Sequence, residues 1–233
     1  MGHSRSCLAR LVRRIAGHVR HTSSCVGFTV IELLVVAGII SVLSIIVIVG
    51  QQAFGRGLLL ANAASDVALS LRNAQVFGIG SRTVGTVSNA GYGLDFSIAS
   101  PSSFSFFADT DPLASCGAPN CKPGNGYYTS ADALVQLYTL NNGIEVQNFC
   151  ALVPPAQWYC KQGGAGTIEH LSIVFTRPNT SATIGVGNIG AGFTNILGVP
   201  FTKACIALIS RELTTRALLV TQVGSVASTP SCP

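Results

Sequence analysis

Charge is scarce in this chain. Only 10% of its 233 residues are charged, against 48% hydrophobic. Soluble domains usually carry about 25% charged residues, so the composition is unlike that of a cytosolic enzyme. The little charge present is unevenly placed. Residues 1–27 hold Arg5, Arg10, Arg13, Arg14 and Arg20 and no acid, while residues 28–233 hold nine Lys/Arg against nine Asp/Glu. The formal +5 therefore resides in the first 27 residues, and the remainder lacks the overall positive charge of a nucleic-acid binder. Histidine is equally sparse: beyond residue 27 there is only His170, next to Glu169. A catalytic nucleophile needs a partnered base. No G-x-S-x-G or H-E-x-x-H run is present, so no catalytic residue is expected and His170 reads as structural or surface. Proline is absent before Pro101, so no proline breaks a long helix there, and Gly50, Gly55 and Gly57 are the weak points at which it could bend.

What is there, first, is a long apolar run. Gly27–Gly50 reads GFTVIELLVVAGIISVLSIIVIVG, and its only charge is Glu32. As a helix rising ~1.5 Å per residue the run is roughly 35 Å long, enough to cross a bilayer. A charge near the centre of such a helix costs about 2.5–3.5 kcal/mol, and less near an end. Glu32 therefore reads as functional. The arginines before the run suit the positive-inside rule: they would hold the N-terminus in the cytoplasm and place the rest of the chain across the membrane.

Residues Gly27-Phe28-Thr29-Val30-Ile31-Glu32-Leu33-Leu34-Val35-Val36 closely resemble the processing and methylation motif of type IV prepilins and type II secretion pseudopilins. The resemblance implies that a membrane peptidase cuts after Gly27 and methylates the new N-terminus at Phe28. It places Glu32 where the family has a buried Glu. Cleavage creates an ammonium at Phe28, and a buried carboxylate is tolerable beside an opposite charge. In a helical fibre of the kind the resemblance implies, a neighbouring subunit would supply that ammonium, and Glu32 would set the register.

From Gln51 the pattern turns amphipathic. Leu60, Ala64, Val67, Leu71, Ala74 and Gly78 follow a 4-3-4-3-4 spacing, one face of a helix ending near Gly78 or Gly80. The small residues on that face predict close packing against a sheet. Beyond residue 80 the chain turns to β. Strands are predicted at 83–88, 92–98, 103–108, 134–140, 144–149, 170–176, 204–210 and 217–222. Asn89-Ala90-Gly91 and Asn141-Asn142-Gly143 read as tight hairpin connections. Residues 109–129 and 151–167 read as irregular loops. The expected fold is α+β: a leader at 1–27, a transmembrane helix at 28–50, an amphipathic half at 51–80, and an antiparallel β-rich part at 81–233.

Cys7 and Cys25 lie before Gly27, leaving Cys116, Cys121, Cys150, Cys160, Cys205 and Cys232 beyond it. An even set in an exported domain points to disulfides. Local spacing favours Cys116–Cys121, Cys150–Cys160 and Cys205–Cys232. A zinc site is the rival, but no C-x-x-C pair is present and no metal is expected.

Three further motifs are weak. Gly185-Val186-Gly187-Asn188-Ile189-Gly190 matches G-x-G-x-x-G, but no helix pattern follows, so it reads as a glycine loop. Asp109 and Asp111 lack further ligands at calcium-loop spacing and read as a solvated turn. Asn179-Thr180-Ser181 is a formal glycosylation sequon.

The order of elements is similar to the GspH/FimT class of minor pseudopilins and minor pilins. The similarity rests on Gln75, Tyr92-Gly93-Leu94, the Phe104–Phe107 run, Ile173-Val174-Phe175 and Val223-Gly224, and it covers residues 27 to about 226. It implies a subunit of a secretion pseudopilus or a type IV pilus, without cofactor or small-molecule substrate. Its partners would be other pilins, the prepilin peptidase and the assembly platform in a bacterial inner membrane. The alternative is a FimT-like DNA receptor for natural transformation. Such proteins use a Gly-Arg-x-Arg motif, but here Gly224 is followed by Ser225, Val226 and Ala227. Lys203, Arg211 and Arg216 remain as candidate DNA contacts, if strand pairing brings them onto one edge.

Overall fold

A computed structural model of the chain describes residues 28–80, 82–85, 87–111, 124–164, 167–178, 181–188, 192–193 and 200–233. The fold is α+β, with one long helix, α1 (Val30–Ile79), and eleven strands among the described residues. The chain divides into two units, Met1–Ile48 and Val49–Pro233.

In the first unit the described part is the start of α1. Thr29 caps it: its hydroxyl accepts the Glu32 N–H at 3.3 Å, and its carbonyl accepts the Leu33 N–H at 3.2 Å. Val30–Ile48 is long and apolar enough to cross a membrane, and none of it is buried within the protein. At ~1.5 Å per residue it spans roughly 28 Å, close to the ~30 Å of bilayer hydrocarbon. Its two serines satisfy themselves. Ser41 and Ser44 donate to the carbonyls of Ala37 and Ile40, at 2.8 and 2.7 Å. Neither hydroxyl is left needing water. The segment is compatible with a single-pass anchor.

In the second unit the rest of α1 packs on two antiparallel sheets. The first holds β3 (Ala133–Thr139), β2 (Ser103–Asp109), β1 (Gly91–Ser97), β6 (His170–Phe175), β7 (Ala182–Asn188) and β8 (Gly192–Phe193), in that order. The second holds β11 (Val226–Thr229), β10 (Thr215–Thr221), β9 (Lys203–Ile209), β4 (Glu145–Val153) and β5 (Gln157–Cys160). One core joins them. Leu60, Ala64, Val67, Leu71 and Ala74 bury in it with the inward residues of both sheets, among them Leu94, Phe96, Ile173, Phe149 and Ile206. The predicted helical face is the buried face, because a 3.6-residue period leaves one stripe to face the sheet. Gly78 completes it: a side chain there would run into the Phe175 carbonyl. Beside it Phe77 meets Tyr92 edge-on at 5.5 Å and Phe106 at 5.7 Å, with the Arg82 guanidinium 3.9 Å above its ring.

Several expectations need correction. Residues 83–88 are no strand. Val84 and Val87 form an isolated bridge around Gly85, whose φ of 58° makes a tight turn. Asn141-Asn142-Gly143 does turn tightly, with φ of 62° and 69° at its last two residues. It is no hairpin, however, because β3 and β4 belong to different sheets. Residues 151–167 are not a loop throughout: β4 runs on to Val153 and returns as β5, Cys150 opposite Cys160, with Pro154 and Pro155 in the turn. The G-x-G-x-x-G run is a strand up to Asn188, pairing with β6, and β11 has no counterpart among the predicted strands. Within 109–129, Asp109 is the last residue of β2, and residues 112–123 lie outside the described set.

Candidate functional site

Four groups of candidate residues have a place in the fold. At the start of α1, Phe28 is 80% exposed immediately before the Thr29 cap. Glu32 lies in the first turn, where a carboxylate is favoured by the helix dipole. Thr29-Val30-Ile31-Glu32 has the spacing of a capping box, a signal present in the sequence that a reading of Glu32 as a lone charge passes over. Gly27 lies outside the described residues.

The cysteines are the second group. Cys150–Cys160 and Cys205–Cys232 are disulfides, with S–S distances of 2.01 and 2.05 Å. Both pairings follow the local spacing. Cys116 and Cys121 lie outside the described residues.

The third group has no signature in the sequence. It lies on the face of the first sheet that points away from the core. Asp95 is buried and accepts the Ser172 hydroxyl at 2.7 Å, and His170 Nδ1 stands 3.3 Å from its other oxygen. Ser97 Oγ is 3.4 Å from His170 Nε2. The lone histidine thus does have an acid and a hydroxyl beside it. The Ser97 hydroxyl is also engaged locally, accepting the Ala99 N–H at 3.2 Å. Ser172 Oγ in turn accepts the Tyr128 N–H at 3.1 Å, which ties residues 124–132 onto the sheet. The Asp95 hydrogen bond raises the His170 pKa, and burial raises that of Asp95.

Asp109 and Asp132 fasten the same segment. The Asp109 carboxyl accepts the N–H groups of Asn125 and Gly126 at 2.9 and 2.8 Å. Asp132 accepts those of Thr110, Asp111 and Thr129 at 2.7–2.9 Å. Asp109 is 1% exposed, so it is not in a solvated turn as expected. Burial lifts its pKa from 3.8 to about 7. The sign follows. A carboxyl raised in the folded state gives stability that is whole below pH ~4 and is lost as the pH rises through about 7. The β unit should therefore become easier to unfold as the pH rises from about 4 to about 7. His170, also raised, acts in the same sense at the upper end of that window. Asp109→Asn should cost about 1–2 kcal/mol at about pH 4, because the hydroxyl oxygen of the neutral acid can still accept the second N–H, whereas an amide NH2 cannot. It should remove most of the slope across the same window. Urea unfolding at a series of pH values measures this, and an unchanged slope would show that Asp109 does not titrate there.

The basic candidates form the fourth group, and the fold separates them. Arg211 and Arg216 flank the β9–β10 turn, and Arg211 lies over Gly143. Lys203 begins β9, six residues from the far end of that strand, Ile209. At ~3.3 Å per residue that is roughly 20 Å. The faces differ too: Lys203 alternates with Cys205 and Ala207, whereas Arg216 alternates with the core residues Leu218 and Val220. Strand pairing does not bring the three onto one edge, the condition on which the DNA-receptor alternative depends.

Among the described residues no cluster of three or more His, Cys, Asp or Glu side chains is placed to hold a metal ion. Comparison with family models, curated proteins and solved structures finds no match to this chain.

Proposed function

We propose that this chain is a minor pseudopilin or minor pilin subunit of the GspH/FimT type. A prepilin peptidase trims it after Gly27 and methylates Phe28. The mature subunit stands in a bacterial inner membrane by its apolar helix, N-terminus cytoplasmic and β unit periplasmic. It is recruited with other pilins by the assembly platform, and acts at initiation or at the tip of a secretion pseudopilus or a type IV pilus. Its work is assembly; the reading assigns it no catalysis, cofactor or small-molecule substrate.

One observation carries the reading: the Gly27–Val36 run heads an apolar helix of spanning length, with its single acid in the first turn. The fold is in keeping with it, since a helix packed on antiparallel sheet is the architecture the resemblance implies. So is the meeting of residues that carry the class resemblance. Gln75 reaches the Gly224 turn, the rings of Tyr92 and Phe106 lie 6.0 Å apart, and Tyr92 pairs with Phe175 in the β1–β6 register. The DNA-receptor alternative draws no comparable support from Lys203, Arg211 and Arg216.

Mass spectrometry of the protein taken from its native membrane tests the proposal. The expected chain begins at N-methylated Phe28, and Gly27→Leu should leave full-length precursor. An intact leader in the native protein, or a cut after Gly50, would overturn the reading.

A further inference from the structure

The second sheet has a small core of its own on the face away from α1. Cys150, Cys160 and Cys205 are buried there with Ala207 and Ala217, and Trp158, Leu219 and Cys232 pack against them. Register makes this cluster unusual. Cys150 lies opposite Cys160 on one neighbouring strand and opposite Cys205 on the other. Cys205, Cys150 and Cys160 therefore form a row across β9, β4 and β5. Residues directly opposite on antiparallel strands have Cα atoms about 4.5–5.5 Å apart. A disulfide usually spans about 4.4–6.8 Å, so Cys205 and Cys150 are within bonding range of each other, while their present partners lie 5.7 Å from Cys205 and 4.0 Å from Cys150, Cα to Cα.

Thiolate attack on a disulfide proceeds in line, the incoming sulfur opposite the leaving one. In this row Cys205 and Cys160 flank Cys150 from opposite sides. Access is graded too: Cys150, Cys160 and Cys205 are at most 1% exposed, while Cys232 is only partly buried.

We propose that the four cysteines form a thiol–disulfide exchange relay, entered at Cys232 and passed from Cys205 to Cys150. The co-reactant is an external thiol. Its thiolate attacks Cys232 Sγ; the new mixed disulfide forms as the Cys205–Cys232 bond breaks, and the electron pair leaves on Cys205. The Cys205 thiolate then attacks Cys150 Sγ. A Cys150–Cys205 disulfide forms, the Cys150–Cys160 bond breaks, and Cys160 leaves as a thiolate that takes a proton from solvent. One thiol is consumed and one released, so no separate oxidant is needed. The result is a second covalent arrangement of the same sheet, in which β4 is stapled to β9 instead of β5 and the C-terminal residues are freed.

The relay does not depend on the pilin reading. The test treats the full chain in detergent with limited glutathione, quenches with acid, alkylates free thiols, and digests with chymotrypsin, which cuts between Cys150 and Cys160 at Trp158 and Tyr159. The expected products are glutathionylated Cys232, alkylated Cys160 and a Cys150–Cys205 linked peptide. That peptide should exceed links from Cys150 to Cys116 or Cys121 at least about tenfold, because proximity favours the neighbour. Glutathionylated Cys232 with alkylated Cys205 and an intact Cys150–Cys160 bond would overturn the relay. So would comparable yields of all Cys150 links, which indicate scrambling of unfolded chain. A Cys160→Ser/Cys232→Ser variant checks the geometry. If it folds, Cys150 and Cys205 should oxidise to each other and resist alkylation; free thiols at both in the folded variant would also refute the proposal.

Discussion

Gly78→Ala is expected to destabilise the β unit, although alanine is the better helix former. On propensity alone a mid-helix Gly→Ala change gains about 1 kcal/mol. Gly57→Ala should show that gain, because nothing lies within 4 Å of a Cβ built there. At Gly78 the same Cβ runs into the Phe175 carbonyl, and the Phe175 Cβ lies 3.1 Å away. That neighbour cannot step aside. Phe175 is 1% exposed and belongs to β6, which is hydrogen-bonded to strands on both sides. Overpacking of a tight site costs typically about 1–3 kcal/mol, and more where backbone must move. Gly78→Ala should therefore lose about 2 kcal/mol or more, a fall in Tm of roughly 4–8 °C for a unit of this size. Gly78→Leu should prevent α1 from docking. Thermal unfolding of the full chain in detergent, with Gly57→Ala alongside, decides the matter. Equal behaviour of the two alanine variants would mean that helix and sheet have room to separate.

The same glycine shows why much of the α-helical part was legible. A 3.6-residue period is local, and Leu60 through Gly78 could be assigned to one face without knowing what the face would meet. Most strands were legible for a similar reason, being short runs rich in branched and aromatic residues. β7 was not, and Gly185 explains it. A side chain at that position would sit 3.0 Å from the Gly126 carbonyl and 3.1 Å from the Tyr127 Cβ. Residues 124–132 cover the strand, so glycine is needed where an uncovered strand would carry a side chain. Its glycines imitate a loop for a reason that lies about sixty residues away in sequence. β5 was hidden by Pro154 and Pro155, which mark the hairpin turn and do not end the sheet. Asp95 and His170, 75 residues apart, meet only through the β1–β6 register. The pairing that brings them together is non-local, so no spacing in the sequence signals it. The disulfides are the opposite case. Cys150 and Cys160 are ten residues apart across one hairpin, and proximity in sequence was enough to favour the pairing.

Glu32→Val should sharply reduce entry into the proposed fibre while leaving membrane insertion intact. Removing a carboxylate from an apolar helix saves up to about 2.5–3.5 kcal/mol of insertion cost, less near a helix end such as this. Insertion should thus be unaffected or improved. Assembly should suffer, because a buried ammonium at the neighbour's Phe28 would lose its counter-charge. Breaking such a pair costs about 3–5 kcal/mol, and each 1.4 kcal/mol is about tenfold in an equilibrium. Incorporation should fall at least tenfold, measured as the share of processed subunit recovered in sheared fibre against membrane. The helix start offers a competing explanation. Glu32 stands three residues after the Thr29 cap, whose hydroxyl accepts its N–H, and an acid in the first turn stabilises a helix by about 0.3–1 kcal/mol. Glu32→Gln separates the two roles. Glutamine keeps the polar capping geometry, since either Glu or Gln serves at that position, but it carries no charge. If Glu32 sets register through the ammonium, Gln and Val should fail alike. Recovery of assembly with Gln alone would reduce Glu32 to a capping residue. Wild-type assembly with Val would end both accounts.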